Sequence, residues 1–414
     1  MNATELYEAR AKRVRDVIAL ELPDRIPVTA TFDFFSARYC GHTQEQLMYE
    51  PDTLWDAHLR TTVDFAPDIA RNPFPGILLG RLLDVLDYRQ MQWPGRQLAA
   101  DLPFQFVEGE YMSAQEYDHF LSEPTDFMVR KYWPRIAGSL KGLGKLAPFK
   151  DFLEYMDLGV FAMLAEPEVQ DALGTLVKAA REAERVGVYG RLFGKKLKEE
   201  GFPSLGGGKS YAPFDILSDY LRGTKGVMLD MYRRPEPLIK ACEKMLPLAV
   251  EKGISSARRT GTKLVFIPLH KGLDGFMSPE QFKRFYWPTL RDLMMGLIDE
   301  GLTPSPFWEG DCTSRLPLIG DIPPGKAVYR FEATDMMKAK DILGERICIW
   351  GNVPVSILAT GTPDDVRAYC KKLIDYAGKG GGLIVDASAH VNDARVENVR
   401  AMFDFTKEYG VCGR

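Results

Sequence analysis

The chain has 414 residues, 45% of them apolar and 27% charged, with a formal net charge of −4. A chain of this length can bury a large core, and its nearly cancelling charges leave no basic excess for a phosphate backbone, which argues against nucleic acid as a partner. Charged residues interrupt the N-terminal apolar positions, no stretch approaches the roughly 20 apolar residues that span a bilayer, and six scattered cysteines form no Cys-x-x-Cys pair, so a reduced, cytoplasmic protein without membrane contact is expected.

The first expected strand is RIPVTATF (25–32), which runs into Asp33, Phe34 and Phe35. Residues about 75–215 read less regularly, with helical stretches such as 166–200 alternating with aromatic loops. They are expected to be an elaborated insertion around early strands within one domain spanning 1–414. The run Gly206, Gly207, Gly208 lacks the G-x-G-x-x-G spacing of a dinucleotide turn and reads as a flexible turn.

From residue 262 onward a rhythm emerges. TKLVFIPL (262–269) reads as a buried strand ending at His270, and Ser278, Pro279 and Gln281 supply an N-cap, a first-turn proline and a capping-box partner for the next helix. PSPFW leads to Glu309, Gly310 and Asp311; AVYRF to Glu332 and Asp335; ICIW to Gly351 and Asn352; GLIV to Asp386, Ser388 and His390. A helix-length segment follows each, one of them opened by Thr362 and Pro363. Doubly buried strands joined by helices imply a parallel sheet with right-handed crossovers. Without a Gly-rich phosphate turn after an early strand, a (β/α)8 TIM barrel with helical and loop insertion in the N-terminal half is preferred to an open dinucleotide-binding sheet.

Three segments in this order carry a family resemblance: GFMSPEQFKRFYWPTLRDLMMGLIDEG (275–301), DILGERICIWGNVPVSILATGTPDDVRAYCKKLID (341–375), and GGGLIVDASAHVNDARVENVRAMFDFTKEYG (380–410) with its Glu397-Asn398 pair. Together they resemble the uroporphyrinogen-decarboxylase-like superfamily. The N-terminal half matches more loosely, through RIPV and PFDILSDYLRG. The resemblance implies a barrel with its site at the carboxyl ends of the strands. It does not imply porphyrin chemistry, because the decarboxylase carries an arginine-rich signature just after its first strand. Here that place reads TATFDFFSARYCG, where Arg38 stands alone, too few cations for a tetrapyrrole with eight carboxylates.

The corrinoid-dependent methyltransferases of the superfamily are the nearer resemblance. Their His-x-Cys pair falls where this chain reads Phe307-Trp308-Glu309-Gly310-Asp311, and their later cysteine falls near Ser388; neither is present. Loss of that thiol-activating set points to the branch acting on methyl ethers. The expected activity is transfer of methyl from a small, uncharged, aromatic ether to a corrinoid (cobalamin) on a partner protein, with zinc as a candidate metal. The chain has no Asp-x-His-x-x-Gly cobalamin signature, so the corrin must come from another chain or as free cofactor.

An ether must have its oxygen made acidic before methyl can leave, by a metal or a neutral acid. His270, Glu309 and His390 are the first choice for a metal, coming from three strand ends, with Asp311, Cys312, Glu332 and Asp386 in reserve. The competing readings are a helix-capping loop residue for His270 and a surface residue for His390. Glu309, Asp311, Glu332 and Asp386 are the candidate catalytic carboxylates. Asp33, Phe34, Trp308 and Asn352 are the candidate substrate contacts, with Phe35 and Trp350 as further wall. His42, His58 and His119 are expected to face solvent. Two other readings stay open: a lyase or decarboxylase of a small carboxylated molecule with Asp33 and Glu309 as acid and base, and a non-catalytic corrinoid-binding barrel. A homodimer is left open as well.

Overall fold

The computed structural model describes residues 1–156, 158–204 and 206–412. A short antiparallel pair, β1 (Met91–Gln92) and β2 (Gln105–Phe106), precedes a six-stranded parallel sheet in chain order. Its strands are β3 (Gly206–Lys209), β4 (Leu264–Leu269), β5 (Thr303–Trp308), β6 (Val328–Phe331), β7 (Cys348–Trp350) and β8 (Leu383–Ile384). Helices follow the strands, including Trp287–Asp299 after β4, Met336–Leu343 after β6, Pro363–Ala377 after β7 and Val396–Tyr409 after β8. Their start signals work as the sequence implies. Ser278 and Thr362 each form a capping box, with Gln281 and Asp365, and Asp335 caps its helix by accepting from the amides of Met337 and Lys338.

Two stretches too irregular to be full strands close the ring. Thr29 N donates to Val385 O at 3.0 Å and Val385 N to Pro27 O at 2.9 Å, so residues 26–31 join β8. Asp68 N then donates to Val28 O at 2.9 Å, and Ala70 N to Pro203 O at 3.0 Å, carrying the ring through residues 68–71 to the approach to β3. With these two segments the six strands form an eight-membered (β/α)8 barrel. The Asp68 carboxylate fastens the closure: fully buried, it holds Arg13 at 2.6 Å and Arg25 at 2.7 Å and accepts from Val28 N at 2.9 Å. Three charge-assisted partners satisfy a group that would otherwise be costly to bury.

The glycine run is a strand, which corrects the flexible-turn reading. Gly208 pairs with Val265, and a Cβ on it would lie 2.7 Å from Leu264 O; a Cβ on Gly207 would lie 2.7 Å from Thr260. Any side chain there would push β3 off β4 and off the helix Pro235–Thr260, so close approach, not chain flexibility, accounts for the glycines.

Alternation sorts the core into two layers. Val265, Ile267, Leu269, Trp308, Tyr329, Phe331, Ile349 and Leu383 face outward and pack with helix residues such as Phe282, Leu290 and Val399. Ile69, Val328, Cys348, Trp350 and Ile384 face inward, where Val14 and Val17 of the helix Ala3–Ile18 meet them. Residues 72–205, between the second closing segment and β3, include the 33-residue helix Pro167–Glu199 and build a satellite core around Phe34, Phe74, Trp93 and Phe193.

Candidate active site

The inward alternation of β4, β5 and β6 carries on past the strand ends and brings His270, Glu309 and Glu332 to the carboxyl mouth. There His270 joins two carboxylates. Its Nδ1 lies 2.5 Å from Asp219 Oδ2 and its Nε2 lies 3.4 Å from Glu309 Oε1. A third, fully buried acid fixes the loop: Asp215 Oδ2 accepts from the His270 amide at 3.0 Å and from the Tyr286 hydroxyl at 2.7 Å. Burial works to strip the proton from His270, but the bonds to Asp219 and Glu309 and the charge of Asp215 outweigh it and raise the imidazole to about 11. His270 is therefore a cation at neutral pH. Burial, followed by the Asp219 charge, raises Asp215 itself.

A second imidazole–carboxylate pair stands at the end of the first barrel segment. Asp33 adopts a φ of 29°, a left-handed backbone unusual for a non-glycine residue, and its Oδ2 bonds His390 Nδ1. Burial pushes the Asp33 carboxyl up, yet His390, with help from His58 and Arg71, holds it at about 2. His58 is buried, not solvent-facing: its Nε2 lies 3.0 Å from Asp33 O, and burial depresses it to about 4. His119 pairs with Asp126 at 2.7 Å.

Below the mouth, the barrel interior holds cations that the sequence did not advertise. Arg330 on β6 is 3% exposed, 3.3 Å from Asp386 Oδ2 and 4.4 Å above the Phe307 ring. Asp386 Oδ2 also accepts from Trp350 Nε1 at 2.8 Å. Arg71 ends the second closing segment and lies 5.9 Å from the Trp350 ring. Arg38 stands alone in the segment after the first strand, and the barrel adds Arg71, from the second closing segment, and Arg330, from β6.

Several proposed contacts lie elsewhere. Trp308 is fully buried and faces outward, against Phe282 and Tyr329, because its odd-face neighbour Phe307 takes the interior. Phe34 packs edge-on to Phe104 in the satellite core, and Phe35 joins the main core beside Phe32 and Phe65. Asn352 is a tie between loops, donating to Glu332 O and Thr334 O at 3.1 and 3.0 Å and accepting from the Tyr369 hydroxyl. Asp311 is exposed and closes a turn onto the Thr313 amide at 2.8 Å. Glu332 accepts from the Gly310 amide at 2.6 Å, which fixes the loop carrying Glu309. Cys312 is buried, and burial raises its thiol to about 12.

The expected metal trio does not assemble. His270 and Glu309 meet, while His390 is paired with Asp33, and among the described residues no group of three His, Cys, Asp or Glu side chains is placed to hold a metal ion. The residues as they stand do not fit that ion. A cavity of about 450 Å³ opens on the outer rim, lined among others by Glu332, Asn352, Tyr369, Lys372 and Ser388, so two of the expected mouth residues face it. Asp215 and Asp219 are the residues that sequence reasoning missed. They lie in PFDILSDYLRG, directly after β3, and reading the glycines as a strand would have placed them at a strand's carboxyl end.

Comparison with known proteins agrees with this architecture. A uroporphyrinogen decarboxylase of Chlorobium luteolum is 23% identical over 251 residues, covering 58% of this chain and 67% of the relative. A uroporphyrinogen decarboxylase of Syntrophotalea carbinolica is 24% identical over 175 residues, covering 42% and 49%. A solved methyltransferase from Methanosarcina mazei superposes over 96% of this chain and 98% of its own at a TM-score of 0.61 and 16% identity, a likeness of fold. Among the described residues no helix is long and apolar enough to cross a membrane. The family model Uroporphyrinogen decarboxylase (URO-D) matches residues 195–409, more than half of the chain, and the chain belongs to that family.

Proposed function

We propose that the protein is a methyltransferase that takes a methyl group from a small aromatic methyl ether and delivers it to a reduced corrinoid carried by a partner protein. The observation that carries this reading is His270, held protonated at the barrel mouth by Asp219 and Glu309. When the ether C–O bond breaks, the electron pair stays on oxygen and the methyl carbon bonds to the acceptor. A phenoxide is a poor leaving group, with a conjugate acid near pKa 10, and a fixed imidazolium stabilises exactly the charge that develops. His270 Nε2 makes only a 3.4 Å contact with Glu309, so it can turn its hydrogen bond to the ether oxygen and pass its proton on. Glu309, about one third exposed, can return a proton from water. The corrinoid acceptor is a substrate in this scheme, and the half-exposed His390 and Glu309 mark the open face from which it approaches.

The test supplies purified enzyme with a methoxylated aromatic and a reduced corrinoid protein. Equal amounts of demethylated phenol and methylated corrinoid are expected. Release of carbon dioxide from a carboxylated analogue, with no methylated corrinoid, would assign the chain to the lyase reading, with Asp33 and Glu309 as its acid and base.

A further inference from the structure

Two arginines of the barrel interior carry buried donors that the described residues leave without partners. Arg71 makes no ion pair or hydrogen bond with any described residue, and its Nε is buried without a partner. Arg330 is 3% exposed, and its contacts are long: 3.3 Å to Asp386, 3.4 Å to Thr31 Oγ1 and 3.5 Å to Ala387 O, with Nε again unpartnered. Asp386 Oδ1 is the third buried polar atom in this region with no partner. Two guanidinium groups therefore share Asp386, while Asp33, already paired with His390, acts on Arg71 as a second charge. Burial and the neighbouring Arg330 lower Arg71 to about 10, against the charges of Asp386 and Asp33, which raise it.

A buried guanidinium Nε left without an acceptor costs stability, because the water removed from it is not replaced. Both arginines flank an aromatic floor. The Trp350 ring lies 5.9 Å from Arg71 and 6.0 Å from Arg330, and the Phe307 ring lies 4.4 Å from Arg330. We propose that Arg71 and Arg330 seat a carboxylate of the substrate, whose aromatic body lies against Phe307 and Trp350. The planar forks of arginine match a carboxylate, and beside Asp33 and Asp386 a single negative charge is accommodated more readily than a phosphate dianion. The inference replaces an uncharged methyl ether with an aromatic ether acid. It rests on the methyl-transfer reading only for the identity of the reacting group, and binding alone tests it.

Equilibrium binding of 3-methoxybenzoate and of its neutral analogue 3-methoxybenzamide, without any methyl acceptor, separates the two questions. The wild-type protein is expected to bind the benzoate at least tenfold more tightly than the amide, and Arg71→Gln to erase that preference while leaving the amide unchanged. A second measurement needs no ligand. Because Arg71 bonds no described residue, Arg71→Met should melt at or above the wild-type temperature, and added benzoate should raise the melting temperature of the wild type alone. Equal binding of benzoate and benzamide, a benzoate preference that survives Arg71→Gln, a lower melting temperature for Arg71→Met, or equal stabilisation by inorganic phosphate would each overturn the carboxylate seat. None of these outcomes depends on whether methyl transfer occurs.

Discussion

Two imidazole–carboxylate pairs stand at one barrel mouth, and their environments assign them opposite characters. His270 is about two thirds buried and is met by Asp219 and Glu309, with Asp215 behind its amide, so its proton is held to about 11. His390 is more than half exposed and meets Asp33 alone, and Asp33 is held at about 2. One carboxylate in water stabilises a pair weakly, whereas three acids in a half-dry pocket produce a permanent cation.

The largest expected consequence is on turnover. His270→Gln should lower methyl transfer by about 10²- to 10³-fold, the usual cost of removing one preorganised donor to a developing oxyanion. His390→Gln should cost about tenfold or less, since its imidazole is paired away from the leaving oxygen. Equal losses in steady-state kcat/KM for the two variants would erase the distinction. Glu309→Gln should fall between them, because it removes one of the two carboxylates that contact the His270 ring.

A smaller effect separates the pairs by pH. His270 has its folded pKa raised from 6.5 to about 11, so its contribution to stability is complete below pH 6.5 and is lost as pH rises through 11. Melting temperature should therefore decline across that alkaline window, and Asp219→Asn should flatten the decline. Asp33 has its folded pKa lowered from 3.8 to about 2, so its contribution is complete above pH 3.8 and is lost as pH falls through 2. The smallest of these effects is that Asp33→Asn removes only the acid-side slope. A variant that changed the slope in the other pair's window would show that the two pairs act as one network.

How much of this was legible differs between the two halves of the barrel. From β4 to β8, buried strands, capping boxes and strand-end polar residues alternate regularly, and the sequence placed His270, Glu309, Glu332, Asp386 and His390 after the strands that carry them. Facing was harder to read. A one-residue difference in alternation sends Phe307 inward and Trp308 outward, and both residues look alike in a run of apolar side chains. The first three barrel positions hid their nature in other ways. Residues 26–31 and 68–71 are held by single bridges and by the buried Asp68 cluster, which leaves no strand-length pattern. In β3, three of the four residues are glycine, and close packing at Gly207 and Gly208 leaves no room for a side chain. Missing those positions meant missing Arg71, Asp215 and Asp219.

The central claim is that His270 is a cation at the pH where the enzyme works, and nitrogen-15 NMR titration of the imidazole measures it directly. With His58, His119 and His390 assigned through single substitutions, the His270 ring nitrogens should keep protonated shifts at pH 9 in the wild type and should titrate at lower pH in Asp219→Asn. A His270 ring that loses its proton near pH 6.5 in the wild type would contradict the account, because no fixed charge would then await the leaving oxygen.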